Sequence, residues 1–349
     1  MPSAGSSRRS KRSWPGPTRS CWPSNRRRRP RTIGAAVRPE GTTSAAWPVL
    51  VAGTITRDDV RTPMGANQDG LGGSATYFTL AAHLFAPVQV IATVGPDFAS
   101  TFRKAMPSAG VDLRGVTEAS EPTYRWNAVH DYTTGTTSFE TSDQGAYRHF
   151  DPLLLPDQRA TRIIFLGSMQ PRYQLQVLEQ LEHPWLVAGD TMRLYIREQR
   201  AALEPVLERL DYLFLNGAEA MALAETTSVE AAADRLRHRY KLRGLVLKEG
   251  PRGATLYRAE EAIHLPALPV DPPTDPTGAG DAVAGGFLGY LAQVQHEDPA
   301  TVRTALAYAM VMASFTIQHF SVAGLPGLTW AAVEARMATL EAMATEAAG

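Results

Sequence analysis

The chain is poor in thiols. Its 349 residues include one cysteine, Cys21, so no disulfide forms within it and a cysteine-ligated metal site is excluded. The eight histidines are scattered without metal-ligand spacing. No apolar run is long enough to span a bilayer; the longest candidates, 282–294 and 305–317, are broken by Gly, Ser, Thr or Tyr and read as core helices. There is no Gly-Lys dipeptide, which removes a Walker phosphate loop. No Gly-x-Gly-x-x-Gly fingerprint follows the first strand, and neither a His-Glu-x-x-His metal helix nor a Gly-x-Ser-x-Gly nucleophile elbow occurs. A single thiol and the lack of an apolar span fit a reducing cytoplasm.

Net charge is missing only in appearance. Lys+Arg and Asp+Glu both number 35, but eleven of the bases and one of the acids (Glu40) fall in residues 1–46; the remaining 24 bases against 34 acids give a net charge of −10. An acidic body argues against nucleic acid as a partner. Residues 1–46 are rich in Ser, Pro and Arg, lack apolar periodicity and read as a disordered basic extension. A basic arm for nucleic acid or membrane, or an Arg- and Ser-rich transit peptide, would share that composition. An extension without function, or an upstream start, is the favoured reading. Apolar residues make up 44% of the chain, enough for one large α/β domain or two small ones.

Residues 48–55 read as a buried first strand ending in a glycine turn, with Asp58 and Asp59 close behind. A carboxylate at the carboxyl end of such a strand faces the ligand crevice and can accept hydrogen bonds from two hydroxyls. Leu71-Gly72-Gly73-Ser74 opens a helix through Ala82, and 88–94 is a strand followed by Gly95-Pro96-Asp97 and a helix to Ala109. Stretch 123–142 alternates aromatic and polar residues, including Tyr124, Trp126, Val129, Tyr132 and Thr134, and favours strands. From Arg162 onward strand and helix alternate, predicting a parallel sheet with helices on both faces. Asp190 follows one of these strands and is a second-rank candidate for the phosphate and metal region.

The stretch Asp275-Pro276-Thr277-Gly278-Ala279-Gly280-Asp281 carries the chemistry. Small residues let the backbone approach a ligand. The free N–H groups of a helix start attract phosphate. Asp281, on the first turn, binds an anion poorly but is suited to accept a proton from a hydroxyl attacking phosphorus. A plain helix cap is the alternative.

Continued through Ala282-Val283-Ala284-Gly285-Gly286-Phe287-Leu288, this stretch resembles the C-terminal signature of the ribokinase-like (PfkB) sugar and nucleoside kinases. The resemblance runs over 48–330 with the motifs in the family's order. It implies an α/β fold of three α/β/α layers, with a mostly parallel central sheet and a small β-sheet lid from about 57–70 and 123–142, spanning 47–349. It implies Asp58, Gly72 and Gly73 as substrate contacts, Asp281 as general base, and the backbone of Gly278, Ala279 and Gly280 as anion hole. Asn216-Gly217-Ala218-Glu219 resembles the family's Asn-x-x-Glu motif, placing Mg²⁺ through water; a capping box is the local alternative. Lys248, Gly250, Gly253, Thr277 and Ala313, with Ser314 beside it, fall where ATP is bound, and Asp275 where K⁺ or another monovalent cation can bind. Tyr77 stands where ribokinases carry an asparagine, which argues against ribose and for a bulkier pocket, or else for a helix residue packed into the core. The activity implied is ATP-dependent phosphorylation of a small sugar or polyol. A nucleoside kinase is the alternative, and a catalytically silent binding protein a third reading. The implied partners are ATP, a small-molecule acceptor and a second copy of the chain as homodimer, without nucleic acid or membrane.

Overall fold

The computed structural model describes residues 45–133, 136–140, 143–259 and 261–346. The expected disordered extension, Thr134 and the end of the 123–142 stretch lie outside them. The chain runs β1 (Val49–Ala52), β2 (Thr56–Thr62), β3 (Gly65–Gly72), α1 (Ser74–Ala82), β4 (Val88–Val94), α2 (Ala99–Ala105), β5 (Val111–Glu118), β6 (Arg125–Asp131) and β7 (Thr136–Glu140). It continues through α3 (Pro156–Arg159), β8 (Ile163–Leu166), α4 (Pro171–Gln180), β9 (Leu186–Asp190), α5 (Arg193–Glu198), α6 (Arg200–Leu207), β10 (Tyr212–Asn216), α7 (Gly217–Ala224) and α8 (Val229–Tyr240). Last come β11 (Gly244–Lys248), β12 (Ala254–Arg258), β13 (Glu261–Leu265), α9 (Ala279–Val294), α10 (Pro299–Thr316) and α11 (Trp330–Glu346).

The large sheet has nine strands in the order β13-β12-β11-β10-β9-β8-β1-β4-β5. It is parallel from β11 to β5, and β12 and β13 add an antiparallel edge. Its inner strands are uninterrupted apolar runs because both faces are covered. The two-residue side-chain period divides them: Val49, Val51, Phe165 and Phe214 pack under α1, α9, α10 and α11, while Leu50, Ala52, Ile164 and Leu213 pack against α4, α6, α7 and α8. The expected three layers are present.

Two expectations change at the edges. The helix expected to reach Ala109 stops at Ala105, and the chain turns into β5. That strand is half-exposed and interspersed with charge, so it lacks an inner strand's signature. The edge strand β13 was likewise not expected.

α9 carries the glycine pair of the motif. A Cβ on Gly285 would meet the Phe78 carbonyl at 2.7 Å, and one on Gly286 the Tyr308 carbonyl at 2.8 Å. The pair therefore lets α1 and α10 close on α9 from two sides. A second sheet, order β3-β2-β6-β7, takes its strands from the stretches read as a lid. β2 pairs antiparallel to β3 and parallel to β6, and β6 pairs antiparallel to β7. The central strand β1 runs into β2 through residues 53–55 alone, which ties the small sheet to the middle of the large one.

Candidate active site

The parallel strands end together on one side of the sheet. Asp190 closes β9, Asn216 closes β10 and Lys248 closes β11, with Asn216 opposite Lys248 in the register. The start of α9 lies over these ends. Gly278 is its N-cap, in the left-handed region at φ 75°, and no side chain caps the helix. The Ala279 amide donates back to the Pro276 carbonyl at 3.2 Å, while those of Gly278 and Gly280 have no partner within the protein and can face a ligand. The ring of Tyr77 fills the place where a Gly278 side chain would stand, 2.2 Å from the ideal Cβ. Any L-residue there would be strained and would collide.

Lys248 runs alongside this loop, and a Cβ on Gly280 would lie 2.8 Å from its Nζ. The ammonium donates to Asp190 Oδ2 at 2.7 Å. Burial works against its charge, but Asp190 and Glu219 outweigh burial and hold its pKa above the usual lysine value. Asp281, Glu219 and Lys248 are partly buried and keep an open edge, so this end admits a ligand. Enclosure raises the Asp281 carboxyl to about 7, with Asp190 adding and Lys248 opposing. Glu219 is raised to about 7, by burial first.

Asn216 and Glu219 form the capping box that was the local alternative. Asn216 Oδ1 accepts the Glu219 amide and Glu219 Oε2 accepts the Asn216 amide, both at 2.9 Å. The second Glu219 oxygen is left over. Asp190, Glu219 and Asp281 surround one lysine, so three carboxyl groups face a single cation here. Among the described residues no three acidic, His or Cys side chains are close enough to hold a metal directly. The donor set thus fits Mg²⁺ held through its waters.

The end around Asp58 is sealed. Asp58 lies in β2, not in a loop, and is 2% exposed. A Cβ on Gly72 would fall 1.8 Å from its Oδ2, so the glycine makes room for the carboxylate. Asp58 Oδ1 and the Tyr77 hydroxyl are both buried without a hydrogen-bond partner. Burial pushes Asp58 up to about 8; Thr56 opposes it, and Asp275, Asp59 and Asp281 add to it. Tyr77 is raised well above the usual phenol, by burial and then by Asp58, Asp275 and Asp281. Asp59 points the other way, to Arg125 Nε at 2.8 Å and the Asp69 amide at 3.0 Å. Asp97 ties Arg57 to Thr123 and is scaffold, as expected.

Other expected residues fall elsewhere. Ser314 is turned toward α11, where Arg336 donates to its hydroxyl at 2.7 Å, so it does not line a nucleotide site. Gly253 is buried, a Cβ there would collide with the Leu265 carbonyl, and it serves the β11–β12 turn, while Gly250 is open to solvent. Ala313 is partly buried beside the core. Asp275 is 1% exposed, and its oxygens already accept the Thr277 amide at 2.9 Å and the Ser321 amide at 3.4 Å. Sequence reasoning missed His130, whose Nε2 meets the Thr277 hydroxyl at 3.0 Å. It gave only second rank to Asp190, which proves to be the partner of Lys248.

Comparison with known proteins agrees with this layout. The chain is 27% identical over 246 residues to a cytidine kinase of Thermococcus kodakarensis, covering 69% of this chain and 87% of the relative. It is 26% identical to a nucleoside kinase of Methanothermobacter thermautotrophicus, covering 71% and 78%. The nucleoside kinase of Burkholderia thailandensis solved in complex with inosine superposes with TM-score 0.69 at 20% identity, covering 84% of this chain and 98% of that one. Fructokinase from Vibrio cholerae, solved with fructose, ADP and calcium, gives TM-score 0.67 at 20% identity, with coverages of 84% and 100%; both likenesses are of fold. Residues 52–326 match the model of the pfkB family carbohydrate kinases, and the chain belongs to that family, as a phosphotransferase with an alcohol group as acceptor.

Proposed function

We propose that the chain is a Mg²⁺- and ATP-dependent nucleoside kinase. The observation that carries the transfer chemistry is Asp281, held near neutral pKa beside an uncapped helix start with Lys248 along its flank. What favours a nucleoside over the small sugar or polyol expected first is the pair of curated relatives named as cytidine and nucleoside kinases. The silent binding protein loses its support, since such a protein has no use for a carboxylate tuned in this way.

In this reading Asp58 grips hydroxyls of the acceptor, and the unpaired Tyr77 hydroxyl donates to one of them. Asp281 takes the proton from the attacking hydroxyl. The amides of Gly278 and Gly280 receive charge from the transferring group, that of Ala279 being held by the Pro276 carbonyl, and Lys248 adds a cation beside them. Asn216 and Glu219 would hold Mg²⁺ through water, where it would supply positive charge against the donor phosphates. Thr277, directly before Gly278, flanks the donor. The small sheet is the lid that keeps water out. Positioning supplies most of the rate.

The test is ADP and phosphorylated product from Mg·ATP with a panel of nucleosides, pentoses, hexoses and polyols, using Asp281→Asn as blank. Turnover on nucleosides supports the reading; turnover only on sugars or polyols returns the assignment to the first expectation. A pH series adds a second check. Below its pKa Asp281 is protonated and accepts nothing, so kcat/KM is expected to fall roughly tenfold per unit below about pH 7. A profile flat from pH 5.5 to 8 would refute Asp281 as base.

A further inference from the structure

His130 is 8% exposed and stands on β6, in the small sheet. Its Nδ1 meets the Thr137 hydroxyl at 2.9 Å within that sheet, and its Nε2 crosses to the Thr277 hydroxyl at 3.0 Å. Thr277 directly precedes Gly278. Two more side chains of the sheet reach the same loop: the hydroxyls of Tyr132 and Thr62 each donate to the Thr274 carbonyl at 2.9 Å. From the other side, the Ile317 carbonyl accepts the Thr274 amide at 2.7 Å, and Ser321 meets Asp275. The segment 274–277 is thus held between the small sheet and the end of α10. These links from the small sheet are side-chain hydrogen bonds, which break and remake without disturbing a core. Burial keeps the imidazole toward its neutral form, in which one nitrogen donates and the other accepts.

We infer that His130 is a positioning residue for phosphoryl transfer: by holding the Thr277 hydroxyl from the small sheet, it sets the loop of Gly278–Gly280 in its working place when that sheet is seated over the acceptor. The inference rests on reading 278–280 as the anion hole, and it holds whichever alcohol is the acceptor. β2 supplies the physical link, since Asp58 is the third residue of the strand and Thr62 its last. Binding at Asp58 thereby bears on the phosphate loop through one element.

The experiment compares His130→Ala, His130→Gln and His130→Asn in the full chain, measuring ADP and phosphorylated acceptor separately. A glutamine amide reaches the position of Nε2, whereas an asparagine amide reaches only that of Nδ1. His130→Ala is expected to lower kcat about tenfold, leave the acceptor KM within about twofold, and raise the fraction of ADP released without product. Gln should restore most of the rate and Asn little. Thr277→Val should reproduce the Ala phenotype, and the double variant should be no worse than either single. Wild-type rate and coupling in His130→Ala, equal rescue by Asn and Gln, or additive losses would overturn the proposal. Thermal melting separates misfolding from mispositioning; if His130→Ala does not fold, the Gln–Asn contrast and Thr277→Val decide. If Asp281→Asn kept its activity as well, the anion-hole reading would fall first.

Discussion

Asp281→Asn is expected to lower kcat by about three orders of magnitude while ATP affinity stays within about twofold, since a positioned base contributes roughly 10²–10⁴. The amide keeps the shape of the carboxylate and removes its ability to take a proton. Donor binding is expected to survive because the first-turn amides and Lys248 are untouched, and one negative charge beside the phosphates is gone. Initial rates by coupled ADP detection and a calorimetric ATP titration measure the two quantities. Near-normal turnover would show that Asp281 only complements the helix dipole. A parallel loss of ATP binding would assign it to donor binding instead.

Asp58→Asn is the second large effect, and it separates function from stability. Asp58 Oδ1 is buried without a partner, so the native fold carries a group whose cost only a ligand relieves. Replacing it is expected to reduce kcat/KM for the acceptor about 100-fold or more, through a weaker and misdirected grip on the hydroxyls. Stability moves the opposite way. The folded pKa of about 8 lies above the ordinary aspartate value of 3.8, so the folded state favours the protonated carboxyl. Its contribution is complete below about pH 4 and is lost as pH rises through 8, at up to about 1.4 kcal/mol per unit. Asparagine does not titrate, so the melting temperature of the variant should exceed that of the parent by a margin that widens from pH 5 to pH 8.5. Asp281 and Glu219 titrate with the same sign in both proteins and cancel in the difference. A constant or shrinking margin would refute the buried, protonated state of Asp58.

The two carboxylates were legible in the sequence because each sits in a local signature: a glycine turn after an apolar strand, and a run of small residues opening a helix. The alternation of strand and helix after Arg162 likewise follows from local periodicity. What stayed hidden depends on contacts between distant segments. Nothing near His130 in the chain points to Thr277, 147 residues away. Lys248 and Asp190, 58 apart, meet only because their strands, with β10 between them, end on the same side of the sheet beneath α9. Tyr77 could be named as a departure, yet only packing shows its ring under Gly278 and its hydroxyl unpaired. Ser314 was misjudged because helix α10 presents a different face at each residue, and its orientation is set by α11. β5 escaped because an edge strand carries charge on a face that an inner strand would bury.

The short connection at residues 53–55 makes the small sheet a lever with its fulcrum at the root of β2. Asp58 lies three residues beyond Ile55 and Thr62 seven, arms of about 10 and 23 Å at the rise of a strand. A swing that parts Thr62 from Thr274 by about 7 Å moves Asp58 by only about 3 Å on the same geometry. In the proposed reading, a swing of this kind opens the rim at Thr62 while Asp58, near the pivot, stays close to its place.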